Sequence, residues 1–477
     1  MLTLVNSNLS KPPIAPLGLE YLAEAARDQG LEAEIVDLCF ETDPAAALAR
    51  RLADADPELV AITFRNSDNC MLLSSHSFLP ELADLVAAAR TATAAPIVVG
   101  GAGFSVAPAA IMQALGVEYG VLGDGEQAVP LLLRALRGEL HLQEVPGLLW
   151  REAEAIRSNP PEWPEIFSQP ALRRDKIDNR RYLERGGQLG LETKRGCDRN
   201  CIYCADPLSK GRRRRLRSPA AIADEVENLL RRGLDVYHLC DSEFNLPHEH
   251  AVAVCDELVR RGLGDQISWY AYLTPHPFSA ELADLMQRAG CAGINFGADS
   301  GNDRMLARLG RDFSSAETLQ TVRLCHQHGL AVMLDLLIGA PGETRETARQ
   351  SIEFVKAADP SCAGISLGVR IYAGTRLAHT ITAQRPMSEN PAICGQATDN
   401  PEMLAPVFYL SADLGDPQEA ASFLSEVIAG DARFFFGGSG DERDYDYDDN
   451  QALVDAIAAG ARGAYWDILR RHRTGAL

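Results

Sequence analysis

The first 140 residues alternate short apolar runs with longer stretches of helical periodicity. Residues 2–6, 33–37, 59–63, 96–100 and 119–122 have the length and apolar character of buried strands, and residues 18–29 predict a helix that stops at Gly30. Alternation at this spacing predicts a doubly wound, mostly parallel sheet, which binds ligands beyond the carboxyl ends of its strands. Glycines and small polar residues collect at those ends, in residues 6–18, 64–69, 100–103 and 123–126, where they let backbone approach a large ligand. Residues 141–188 hold Pro146, Pro160, Pro161, Pro164 and Pro170 among charged residues and predict an extended linker. Strand–helix units resume at residue 189 and end near residue 385. Six of them fit an open, partial (β/α)6 barrel, with polar residues at strand carboxyl ends facing its active site. Tyr270 and Tyr272 share a face of one strand, and both are expected in the core. Residues 386–477 predict a small α-rich cap, with helices near 417–429 and 450–471 and a solvated acidic loop at 441–449. Substrate specificity is expected to be set there.

Composition narrows the classes. A chain of 477 residues with 46% hydrophobic content is globular and long enough for two or three domains. Its 46 basic and 66 acidic residues leave a net charge of −20, which argues against nonspecific nucleic-acid binding and anionic membrane surfaces. Neither a run of 18 apolar residues nor a cleavable leader is evident, and a reducing, cytoplasmic setting is expected because it fits free thiols. The 11 cysteines are scattered except for one trio, so no disulfide framework is expected. No G-x-G-x-x-G loop opens the first helix, which argues against a nicotinamide cofactor. The basic run at 210–217 predicts, for most of its arginines, a solvated loop ahead of a helix at 219–232. The other possibility for this run is contact with an anionic ligand.

The trio is Cys197, Cys201 and Cys204, spaced C-x3-C-x2-C. Three soft thiolates within eight residues can hold one face of an iron–sulfur cluster. No fourth cysteine follows at ligand spacing, so one iron of a 4Fe–4S cluster would stay open to a small molecule. The alternatives are a structural zinc site, although the next histidine is the distant His238, or three ordinary thiols. With Tyr203 just before the last cysteine, the motif resembles that of the radical S-adenosylmethionine (SAM) superfamily. The resemblance implies that the three cysteines bind a 4Fe–4S cluster whose open iron chelates the amino and carboxylate groups of SAM. It further implies a SAM-contacting set of Tyr203, Glu243, Asp299, Ser300, Arg311 and Arg370. Glu243 matches the acidic position that bonds the SAM amino group. Asp299 and Ser300 lie in a Gly-x-Asp-Ser-Gly match in which the family usually has glutamate, and either Arg308 or Arg311 meets the carboxylate.

Pro12, Pro13, the stretch 17–23, Gly100 with Gly101, and residues 123–126 together resemble the cobalamin-binding domain fused to many radical SAM enzymes. The implied cobalamin residues are Arg65, Asn66, Gly100, Gly101, Gly123, Asp124, Gly125 and Glu126. The region carries one histidine, His76, and no Asp-x-His-x-x-Gly loop, so the lower face of cobalamin is expected to lack a histidine ligand, with Arg65 and Asn66 near it. The implied fold class is α/β: a Rossmann-like cobalamin domain at 1–140, a linker at 141–188, a partial SAM barrel at 189–385 and a cap at 386–477. The implied activity is methylation of an unactivated carbon, or a phosphinate phosphorus, of a small metabolite through methylcobalamin and a 5′-deoxyadenosyl radical. A flavodoxin or ferredoxin would donate electrons. A non-methylating cyclase or rearrangement enzyme, or a sensor without turnover, are the alternatives.

Overall fold

The computed structural model describes residues 1–10, 12–164, 172–436 and 450–477. Pro170 and the acidic segment 441–449 lie outside them. In the N-terminal part, β1 (Leu2–Asn6), β2 (Ala33–Asp37), β3 (Leu59–Thr63), β4 (Ile97–Gly100) and β5 (Tyr119–Val121) run parallel in the order β2-β1-β3-β4-β5. Their apolar runs are continuous because helices cover both faces. Val5, Val60, Ile62 and Val99 enter one core, and Leu2, Leu4, Leu59, Ala61 and Val98 the other. This strand order reverses between β1 and β3, which opens a crevice at their carboxyl ends.

The segment expected to be plain linker begins with an antiparallel hairpin, β6 (Leu148–Glu152) and β7 (Ala155–Ser158), which extends the sheet from β5. Leu149 and Trp150 of β6 are buried against the two cores, which explains why so polar a stretch forms strands.

The second large sheet starts at β8 (Leu189–Leu191). A short antiparallel ribbon of β9 (Lys194–Arg195) and β10 (Arg215–Leu216) then frames the cysteine loop. The sheet continues through β11 (Val236–Leu239), β12 (Ser268–Leu273), β13 (Cys291–Asp299), β14 (Ala331–Ile338) and β15 (Cys362–Leu367). A small sheet of β16 (Val369–Arg370), β17 (Ile393–Gly395) and β18 (Val407–Tyr409) follows, and then β19 (Phe434–Phe436). The large sheet is parallel throughout, ordered β8-β11-β12-β13-β14-β15-β19. To the six strands expected, β19 adds a seventh from the segment expected to be cap. Crossover helices bury one apolar stripe each. Helix Pro219–Arg231 buries Ile222, Ala223, Val226 and Leu229, and starts at Ser218, whose side chain accepts from the Ala221 N–H at 3.1 Å.

Helices Gln451–Ala458 and Tyr465–Thr474 close one end of the barrel lumen. Trp466, Ile468 and Leu469 pack against Tyr270, Met333, Cys362 and Phe435, and the Tyr270 hydroxyl donates to Asp467 Oδ2 at 2.8 Å. Tyr270 is therefore core as expected, but Tyr272, two residues on, is 38% exposed in the lumen.

Buried charge joins the two halves. Arg174, wholly buried, pairs with Glu20 Oε2 at 2.5 Å from the first helix and with Glu225 Oε1 at 2.9 Å from a barrel helix. Arg217 completes the group by pairing with Glu225 Oε2 at 2.7 Å. The basic run thus departs from the solvated loop expected of it. Arg212 and Arg213 are exposed, but Arg215 and Arg217 are buried because Asp124 and Glu225 supply their counter-charge.

Candidate functional site

Backbone bonds from three elements fix the cysteine loop. Cys197 N–H donates to Gly211 O at 3.0 Å, Ile202 N–H to Leu309 O at 3.0 Å, and Leu377 N–H to Ile202 O at 2.8 Å. Gly196 opens the loop at φ +89°, where a Cβ would lie 2.1 Å from Arg213 O, so only glycine fits. The three cysteines line a cavity of about 180 Å³ together with Arg199, Tyr203, Asp206, Ser242, Glu243, Tyr272 and Arg311. Burial pushes the Cys197 thiol up to about 11 and raises Cys201 and Cys204 as well. As free thiols they stay protonated, whereas coordination to a metal deprotonates a thiol outright. Among the described residues no group of three or more His, Cys, Asp or Glu converges as a single ion requires. The thiols instead line a space, as a multi-iron cluster needs.

Arg311 organises the cavity wall. Its Nη1 lies 2.9 Å from Cys201 Sγ, and its Nη2 donates to Gly297 O at 2.6 Å. Asp299 stands 3.4 Å and Glu243 3.6 Å from the same guanidinium. The Tyr203 hydroxyl donates to Asp299 Oδ2 at 2.7 Å. Asp299 adopts φ +57° where the pairing of β13 with β14 slips, which turns its carboxylate out of the strand pattern. Burial pushes Glu243 up to about 7. Two carboxylates and one guanidinium beside three thiols suit a zwitterionic amino-acid end: acceptors for an ammonium and a fork for a carboxylate.

Four members of the implied SAM set therefore converge. Ser300 and Arg370 do not. Ser300 Oγ sits 2.9 Å from Ser351 Oγ behind the strand end. Arg370 reaches into the N-terminal part, donating to Asp68 Oδ2 from Nε at 3.0 Å and from Nη2 at 2.8 Å, with Met403 O also accepting at 3.0 Å. Its buried guanidinium is saturated away from the cysteine cavity.

In the N-terminal part, Gly100, Gly101, Gly123, Asp124, Gly125 and Glu126 line a cavity of about 220 Å³ at the ends of β3, β4 and β5. Leu19, Leu22, Val98 and Val129 form its apolar wall. At Gly101, φ is +103° and a Cβ would lie 2.7 Å from Phe64 O, so the backbone itself makes this side of the cradle. The far end is charged: Arg195 Nη1 meets Glu126 Oε1 at 2.7 Å and Asp124 Oδ1 at 3.2 Å, and Arg215 also reaches Asp124. An apolar wall with a glycine rim and a polar mouth suits a large ligand with both apolar and polar parts, as cobalamin has. Arg65 and Asn66 line a separate cavity of about 260 Å³ in the β1/β3 crevice. His76 lies in it too, with Nε2 2.9 Å from Glu81 Oε1.

Sequence reasoning passed over the link between these spaces. Helix Asp206–Lys210 follows the last cysteine directly. Asp206 lines the cysteine cavity, while Ser209 and Lys210 line the glycine cavity. Asp206 Oδ2 holds the helix, accepting from Ser242 Oγ at 2.5 Å and Lys210 Nζ at 3.1 Å. The signal was present as an acid and a lysine four residues apart immediately after the motif.

Comparison with known proteins agrees with this geometry. The model of the radical SAM superfamily matches residues 191–355, and that of the B12 binding domain residues 6–133. The tryptophan 2-C-methyltransferase of Streptomyces laurentii is 34% identical over 444 residues, covering 80% of this chain and 74% of that protein. The radical SAM methyltransferase TsrM from Kitasatospora setae, solved with tryptophan substrate and the SAM analogue aza-SAM, matches with a TM-score of 0.92 at 31% identity, over 99% of this chain and 98% of that one. Its structure with cobalamin and a 4Fe–4S cluster bound matches with a TM-score of 0.90 at 30% identity, over 100% and 99%.

Proposed function

The chain belongs to the cobalamin-dependent radical SAM methyltransferases, and on that premise we propose that it methylates a ring carbon of tryptophan or a close indole analogue. The observation that carries the proposal is the likeness over nearly the whole chain to the methyltransferase solved with tryptophan, and the helix Asp206–Lys210, which borders the cysteine cavity at one end and the glycine cavity at the other, supports it. Two cofactors bound there would share one reaction space.

When bound, the 4Fe–4S cluster and cobalamin supply one-electron and methyl-carrying chemistry. The protein's part is orientation and exclusion of water. Cys197, Cys201 and Cys204 would hold the cluster. Glu243 and Asp299 accept hydrogen bonds from the SAM ammonium, Tyr203 steadies Asp299, and Arg311 faces the SAM carboxylate. Gly100, Gly101 and residues 123–126 cradle the cobalamin tail, with Asp124 and Glu126 held by Arg195 and Arg215. Arg65 and Asn66, which line the β1/β3 crevice, would border bound cobalamin. Arg65 has no lone pair to offer the metal, and His76 is turned to Glu81. Apolar packing of Trp466 against Tyr270 shuts water out of one lumen end. A flavodoxin or ferredoxin as electron donor belongs to the same proposal. Among the described residues no helix is long and apolar enough to cross a membrane.

Anaerobically reconstituted protein, given SAM labelled in its methyl group and tryptophan, should yield a labelled methylindole by mass spectrometry. Label that never leaves SAM or cobalamin for any indole would overturn the substrate assignment. Glu243→Ala should weaken SAM binding about 10- to 100-fold, the size of a charge-assisted hydrogen bond, while iron content is kept.

A further inference from the structure

The barrel lumen carries a polar ring of which Tyr272 also lines the cysteine cavity, while its other members line neither cofactor cavity. Successive strand residues alternate between faces. Tyr237 and Leu239 of β11, Ile294 and Phe296 of β13, and Leu334 and Leu336 of β14 enter the helix-side core. His238, Asn295 and Asp335 between them face the lumen, alongside Tyr272, whose ring centroid lies 4.8 Å from that of His238. Below this ring the lumen is filled by Tyr270, Met333, Phe435 and Trp466.

Three of these side chains have a buried polar atom without a hydrogen-bond partner among the described residues: His238 Nδ1, Asn295 Oδ1 and Asp335 Oδ1. Asn295 is only 5% exposed. An unmet buried acceptor costs about 1–3 kcal/mol, so two of them on neighbouring strands mark a place for a donor the protein does not provide. Asp335 pairs in register with Gly297 on one side and Gly364 on the other, so neither in-register neighbour covers its carboxylate, and the Asn295 side chain that bonds it still leaves Oδ1 without a donor. Asn295 stands two residues from Gly297 on the same face, the diagonal neighbour of Asp335. Burial pushes Asp335 up to about 6, and its leading influences include no basic group. Arg311, the nearby cation of the cysteine cavity, is engaged by Asp299, Glu243 and Gly297.

We propose that Asp335 and Asn295 receive a protonated amino group of the substrate, which lies with its aromatic part toward Tyr272. This rests on the methyltransferase function above and adds a substrate class: an aromatic amine. One ammonium meets both orphan acceptors, because it brings three donors and the charge that Asp335 lacks.

Equilibrium dialysis with anaerobically reconstituted holoprotein tests it, using tryptophan, tryptamine and phenethylamine against indole-3-propionate and 3-phenylpropionate. In wild type the amines should bind more tightly than the acids of equal ring. Asp335→Asn, nearly isosteric, should weaken the amines about 10- to 100-fold, as expected for a lost charged hydrogen bond. The acids, SAM affinity, and iron and cobalt content should stay unchanged. Asn295→Ala should repeat the pattern with a smaller loss. If Asp335→Asn weakens SAM instead, or weakens amines and acids alike, the amine site is overturned. If only phenethylamine binds, and does so through Asp335, the amine site stands and the indole assignment falls. If tryptophan and indole-3-propionate bind wild type equally, the indole assignment stands and the amine site falls. Failure of every amine to bind also overturns the site.

Discussion

The cysteine loop and the glycine cavity are built by opposite means. In the loop the chemistry sits in side chains, three thiols within eight residues, and surrounding backbone only fixes their place. In the cavity the shape comes from side chains that are absent, as at Gly101, and the charged residues at its mouth are turned to partners in the barrel. A site made of donors fails when one donor is lost. A site made of space fails when something is added. The two should therefore break separately and under different kinds of substitution.

The largest effect should come from the loop. Cys201→Ala removes one of three ligands and should leave the protein without a stable cluster after anaerobic reconstitution, with cobalt retention unchanged. Parallel loss of iron and cobalt would show that the two regions are not independent. The mirror experiment adds bulk: Gly101→Val places side-chain atoms against Phe64 O at a positive φ. Backbone strain of about 1–3 kcal/mol and overpacking of about 1–3 kcal/mol should weaken cobalamin binding at least about 30-fold while iron content stays full. Unchanged cobalamin affinity would mean that this rim is not the cradle.

The same contrast decides what was legible in the sequence. The cysteine trio with Tyr203 stood out as a contiguous motif, whereas Glu243 and Arg311, which the fold brings to the same cavity, were expected only through the family resemblance. The parallel sheets were legible from apolar runs. Strand β19 was not: three phenylalanines carry no period, and their pairing with β15 depends on a strand about 70 residues earlier. Arg215 and Arg217 were misjudged because charge predicts solvent unless its partner is known, and Arg370, expected by resemblance at SAM, is instead held by Asp68. Those partners, Asp124, Glu225 and Asp68, lie on other elements. Asn295 and Asp335 escaped notice because each is one polar residue within an apolar strand, and only the sheet brings them together.

The join between the two regions should give the next effect. Replacing Arg174 by Met strands Glu20 in a dry interface and leaves Glu225 to Arg217 alone, at a cost of about 3–5 kcal/mol. Burial already raises the Glu20 pKa above its ordinary value, Arg174 being the main influence that lowers it, and the substitution should raise it further. A carboxyl raised by folding adds stability below its unfolded pKa and loses it as pH climbs through the folded one. The deficit of Arg174→Met should thus be greatest near pH 8 and shrink toward pH 5, as measured by urea unfolding. A deficit independent of pH would assign the loss to packing rather than to unpaired charge.

The smallest effect probes the polar mouth of the glycine cavity. Glu192 lines it and is buried, with Arg195 Nε 2.8 Å from its carboxylate. Burial outweighs that arginine and pushes Glu192 up to about 7, helped by the neighbouring Asp241 and Glu126. Between its unfolded pKa and 7 the folded chain keeps a proton that the unfolded chain has released, so this group makes stability fall as pH rises over that window. Glu192→Gln removes the titration and keeps the shape. The variant should gain on wild type by about 1–2 kcal/mol between pH 5 and pH 7.5, a fraction of the roughly 1.4 kcal/mol per pH unit that one full proton carries. Arg195 keeps Glu126 and Asp124 as partners in the variant, so the gain should not be masked by a stranded guanidinium. Parallel pH profiles for the two proteins would mean that water reaches Glu192 and that the mouth of the cavity is wet. Its charged residues would then contribute little to the separation between the two regions, and the glycine rim alone would carry it.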